Sequence, residues 1–124
     1  MHNLARIRIA LGEHADARRL IEECLEVTAR VGYREVLAYT VEMVAELVFA
    51  AGDAERALRL LAVAESLFAQ TGARMQGDEL TSYERLVADV RERLGDDAVE
   101  TARALADRVL PDVARAEALA ALSP

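Results

Sequence analysis

The sequence predicts an all-α protein built from tetratricopeptide-like helical hairpins, and three observations carry that expectation. Glycines recur at 12, 32, 52 and 72, an even spacing of 20 residues. Helices commonly stop at a Gly that adopts positive φ, so even stops imply helices of even length. Sliding the chain by 40 residues brings Gly12 onto Gly52, Ala17 onto Ala57, Arg19 onto Arg59, Leu20 onto Leu60, Ala29 onto Ala69 and Gly32 onto Gly72. A self-similarity of that length is the mark of stacked helix pairs. Finally, no segment alternates with period two over a strand's length, while 25 Ala and 17 Leu raise helix propensity throughout. The expected architecture is a short right-handed solenoid with a C-terminal capping helical segment. It forms one domain over 1–124: repeat one at 1–32, repeat two at 33–72, closing helices at 78–122.

The elements follow in order. Residues 3–11 read as a short helix. Over 14–31, Ala17, Leu20, Ile21, Cys24, Leu25, Thr28 and Val31 share one face, and acids and arginines take the other. Residues 33–50 are apolar almost all round, as befits a helix packed between neighbours. Asp53 is placed to cap 54–71, whose inner face is Ala57, Leu60, Leu61, Ala64, Leu67 and Phe68. Asp78 is expected to cap a helix ending at Leu94–Gly95, with Leu80, Tyr83, Leu86, Val87, Val90 and Leu94 inward. Asp96 is expected to cap 97–109, burying Val99, Ala102, Leu105 and Val109. Pro111 suits the first turn of a last helix to Leu122. The Ala-rich stretch 98–122 is expected to dock as a cap or to pair with another copy.

Composition narrows the function classes. At this length about two-thirds of the unfolded surface can be buried. The formal charge of -7, from 15 Arg and 22 acids, opposes phosphate neutralisation, and the arginines sit among acids such as Glu22, Glu55 and Glu92. No direct nucleic-acid binding is expected. There is no Lys, which removes Schiff-base chemistry and the phosphate-cradling P-loop. No apolar run is long enough to cross a membrane. One Cys and no leader-like start fit a cytoplasmic protein.

The run Ala50-Ala51-Gly52-Asp53-Ala54-Glu55-Arg56-Ala57-Leu58-Arg59-Leu60-Leu61-Ala62-Val63-Ala64-Glu65 resembles the last tetratricopeptide-like repeat of large actinobacterial transcriptional regulators, the ATP-binding LuxR-type (MalT-like) group. Tyr83-Glu84-Arg85 and the later Arg91, Arg93, Leu94, Gly95 and Asp96 resemble their closing segment. The likeness covers residues 4–109. It implies a non-catalytic C-terminal helical region that senses inducers or binds partner proteins, with nucleotide hydrolysis and DNA binding in other domains. The family's final segment carries an aromatic residue and a Gly. Arg103 and Asp107 stand in those places here.

Candidate chemistry is sparse. Cys24 lies on an apolar face and reads as a buried structural thiol. His2 and His14 have no metal-ligand spacing. Ser66, Ser82 and Ser123 lack a nucleophile turn. No catalytic residue, metal site or cofactor is expected, and the chain is read as a non-enzyme. The informative feature is on the central helix. At about 100° per residue, Tyr39, Glu42, Glu46 and Phe49 all fall within about 40° of Glu35. This line of Glu35, Tyr39, Glu42, Glu46 and Phe49 is expected to recognise a basic or amphipathic peptide, the partner being a protein or another domain of a parent regulator. The alternative is a small-ligand sensor with an apolar inter-helix pocket at Tyr33, Met43 and Phe68, near Tyr39. The apolar start, with Leu4, Ile7, Ile9 and Leu11, is expected to continue a longer array or to form a homodimer through residues 1–30.

Overall fold

The computed structural model describes residues 4–5, 8–9, 11–31 and 34–122. All regular structure among them is helical, and six helices span His14 to Leu122: α1 (His14–Val31), α2 (Arg34–Ala50), α3 (Ala54–Thr71), α4 (Gly77–Leu94), α5 (Asp96–Leu105) and α6 (Pro111–Leu122).

Local sequence accounts for the first three. Gly12, Gly52 and Gly72 all take positive φ, between 74° and 98°. Gly72 ends α3, its N–H returning to the Phe68 carbonyl at 2.9 Å. Gly32, the remaining member of the spaced set, lies outside the described residues. Asp53 caps α3, accepting the Arg56 N–H at 3.1 Å, which satisfies one of the helix's orphan donors. The expected inward face of α1 is buried at Ala17, Ile21, Cys24, Leu25 and Thr28.

The core lies along α2 and α3, which make the most extensive helix–helix contact. Ten residues of α2 are buried, from Leu37 to Val48. On α3, Leu58, Ala62 and Val63 are buried beyond the expected stripe. The reason is that α4, α5 and α6 all pack on this helix, so it has little free surface left to be polar.

The later helices depart from the sequence expectation in three ways. Asp78 and Asp96 do not act as N-caps: they sit inside the first turns of α4 and α5, behind Gln76 and Gly95, and neither cap position makes a side-chain bond. Asp96 instead pairs with Arg91 at 2.8 Å across the Gly95 corner. The helix expected to reach residue 109 ends at Leu105, which is 74 % exposed rather than buried. The chain turns away at Arg108, whose φ is +59°, and α3 then holds the next residue. The Val109 N–H donates to Ser66 Oγ at 3.2 Å, and Gln70 Nε2 donates to the Val109 carbonyl at 2.8 Å. Backbone groups claimed by α3 cannot continue the α5 ladder. Leu80, expected inward, is also an exposed apolar residue.

Helix α6 begins at Pro111, where a missing N–H costs nothing, and returns along α1, α2 and α3. It buries Ala114, Ala118 and Leu122, one side chain per turn. Small alanines allow close approach but contribute little apolar area, and polar ties supply the registration. Arg18 Nη1 donates to the Leu122 carbonyl at 2.9 Å. Arg59 grips Glu117 with two bonds, at 3.0 and 2.8 Å. Arg115 Nη2 donates to the Thr28 carbonyl at 3.1 Å.

Candidate functional site

The stripe expected on α2 is present in part. Glu35 is exposed, while Tyr39, Glu46 and Phe49 are partly buried. Glu42 is a correction: it is fully buried, so a partner moving along the stripe meets Glu35 and Glu46 but not Glu42. A helical wheel gives a residue's direction around the axis. It says nothing of how high along the axis neighbouring chain covers it.

Two aromatic residues anchor the stripe. The Tyr39 ring meets Phe68 edge-on, centroids 4.9 Å apart, and its hydroxyl donates to the Arg74 carbonyl at 3.0 Å. Burial raises the Tyr39 phenol pKa, and the charges of Glu79 and Glu35 add to the rise. At the other end the Arg93 guanidinium lies 5.2 Å above the Phe49 ring, a cation–π arrangement. Between α2 and α4 runs a groove of about 140 Å³ lined by Ile9, Glu46, Phe49, Ser82, Arg85, Leu86 and Asp89. Its lining mixes the apolar Ile9, Phe49 and Leu86 with Glu46, Asp89 and Arg85. Such a surface can seat one apolar side chain and pair with flanking charges.

Of the alternative pocket residues, Met43 and Phe68 do not line that groove. Met43 is fully buried in the core, and Phe68 is engaged with Tyr39. Tyr33 lies outside the described residues, as do His2 and Ser123. Cys24 is buried, and desolvation, with Glu23 adding, raises its pKa. A thiol held neutral is a poor nucleophile. Ser66 holds the chain at Val109. Among the described residues no three His, Cys, Asp or Glu side chains gather as a metal site.

Sequence reasoning missed a polar cluster joining α3, α4 and α5. Arg103 donates from Nε and Nη2 to the two oxygens of Glu65, both at 2.9 Å. The Tyr83 hydroxyl donates to the same carboxylate. Burial, then the Glu65 hydrogen bond and charge, push the Tyr83 pKa well above the usual phenol range, against a smaller opposing pull from Arg103. Glu65 and Arg103 are 38 residues apart, beyond any local spacing rule. The arrangement ties three helices together through one carboxylate.

Comparison with protein-family models, curated proteins and solved structures returned no match. The class defined here is therefore that of the fold itself, an all-helical chain with no helix among the described residues long and apolar enough to cross a membrane.

Proposed function

We propose that the chain is a non-catalytic, tetratricopeptide-like interaction module that binds a basic, amphipathic peptide segment of a protein partner in the α2–α4 groove. The finer architecture belongs to this proposal: successive hairpins forming a short right-handed solenoid, with α5 and α6 as its closing segment. The 40-residue self-similarity and the positive φ at Gly12, Gly52 and Gly72 support it. So does the likeness of residues 50–65 to the last repeat of LuxR-type regulators, which makes the regulatory end of a bacterial transcription factor the setting we favour.

One observation carries the binding reading. Phe49, Leu86 and Ile9 form an apolar seat flanked by two acids, Glu46 and Asp89, and one base, Arg85, on a chain whose charge is -7. An apolar anchor entering that seat with basic neighbours gains contact area and charge pairing together. The test uses a fluorescent library of basic amphipathic peptides titrated against the whole chain. Reversing charge with the pair Glu35→Arg and Asp89→Arg should weaken the selected peptides by about tenfold or more. The thermal melt of the unliganded double variant should be unchanged. Equal affinity in the double variant dismisses the groove.

A further inference from the structure

A second concavity lies where the C-terminal turn of α1 meets the first turns of α2 and α6. It is a half-open hollow of about 370 Å³ lined by Thr28, Ala29, Arg34, Leu37, Leu110, Pro111, Asp112 and Arg115. That volume falls within the roughly 300–1,000 Å³ of small-molecule sites. We propose that this cavity binds a small monocarboxylate carrying a short apolar body. The site is separate from the α2–α4 groove and does not depend on it.

The walls divide by chemistry. Leu37, Ala29, Leu110 and Pro111 give an apolar side, and Leu110 stands 66 % exposed, an uncovered apolar side chain on the lining. Arg34 and Arg115 give a cationic side. The Arg115 side chain is only 16 % exposed and is fixed in place. Its Nε donates to Thr28 Oγ1 at 3.3 Å, Nη2 to the Thr28 carbonyl at 3.1 Å and Nη1 to Asp112 at 2.9 Å. A guanidinium has five N–H groups, so each terminal nitrogen keeps one N–H beyond these bonds. Arg34 makes no ion pair among the described residues. Two guanidiniums against the single Asp112 carboxylate leave one positive charge in excess. A cationic ligand meets repulsion there. A neutral apolar one leaves the cations unanswered. A small inorganic dianion leaves Leu110 and Pro111 uncovered. A monocarboxylate with a short hydrocarbon tail answers both walls.

The experiment is a calorimetric titration of the whole chain with octanoate, with octanol and inorganic phosphate as controls, alongside amide chemical-shift mapping. Octanoate should saturate one site, and its shifts should centre on Thr28, Arg34, Leu37, Leu110 and Arg115. Octanol and phosphate should each bind at least about tenfold more weakly, as the loss of one charge-assisted contact or of the apolar burial implies. Because Arg34 is exposed, Arg34→Glu should leave the unliganded melt intact and weaken octanoate by about tenfold or more. The proposal is overturned by any of three results: no saturable binding up to about 10 mM, equal binding by Arg34→Glu, or a control that binds as well as octanoate.

Discussion

Raising the pH should loosen the tie that Tyr83 makes between α3 and α4, and the size of the effect follows from its surroundings. In the unfolded chain a tyrosine loses its proton near pH ~10. In the folded chain burial, the Glu65 hydrogen bond and the Glu65 charge hold that proton well above this value. Below pH ~10 both states are protonated, and the contribution of Tyr83 is fully present. Above it the unfolded state releases a proton that the native state keeps, so stability falls as pH rises toward the folded value. A fully coupled site would lose about 1.4 kcal/mol per pH unit. Tyr83 is only partly buried, and solvent screening narrows the pH range over which the loss accrues, so the loss by pH ~11 is about 1 kcal/mol. The clean measurement is a difference. Tyr83→Phe removes the hydroxyl and its bond, a cost of about 1 kcal/mol at pH ~8. By pH ~11 the wild-type chain should have lost about that amount, so the gap between the two proteins should close. Urea unfolding followed by far-UV circular dichroism at both pH values measures it. Taking the difference cancels the alkaline contributions of Cys24 and Tyr39, which both proteins share. A gap that stays constant from pH ~8 to ~11 would refute the reasoning.

Other expectations follow from the packing. Gly72→Ala places a Cβ that meets nothing within 4 Å, at φ +74°. The cost is therefore backbone strain alone, about 1–2 kcal/mol, read from the urea midpoint. Leu67→Ala empties a fully buried position on α3 and should cost about 2–5 kcal/mol by the same assay. A double-mutant cycle on Arg59 and Glu117 should return a coupling of about 0.5–1 kcal/mol, against nearly nothing for the more exposed Arg19–Asp16 pair. Cys24, buried on α1, should react with a thiol reagent only as fast as the helix opens, so mild urea should accelerate labelling.

What could be read from the sequence was what is decided locally. The start of α1, the end of α2 and both ends of α3 follow from glycines that turn left-handed and from the Asp53 cap, each effective within a few residues. The periodicity of α1 likewise named Ala17, Ile21, Cys24 and Leu25 as buried before any neighbour was known. The failures have a common cause in distant residues. The chain after Leu105 does not continue the helix, and Val109 is held instead by Ser66 and Gln70, some 40 positions earlier. Glu42 lies on the same azimuth as Glu35 and Glu46 yet is buried, because cover along the axis is a tertiary property. The course of α6 had no signal in its own sequence, since a helix rich in alanine shows little difference between its faces. Its ties are written instead on Arg18, Thr28 and Arg59, in helices that read as complete without it.

The seat of α6 has a bearing on how the protein is made. The bond from Arg18 to the Leu122 carbonyl joins residues 104 positions apart, a long closure for a chain otherwise held by neighbouring helices. During synthesis α1, α2 and α3 leave the ribosome well before α6 exists, with their shared flank still bare to water. Completion waits for α6 to emerge, so a change on its buried face acts on the middle of the bundle.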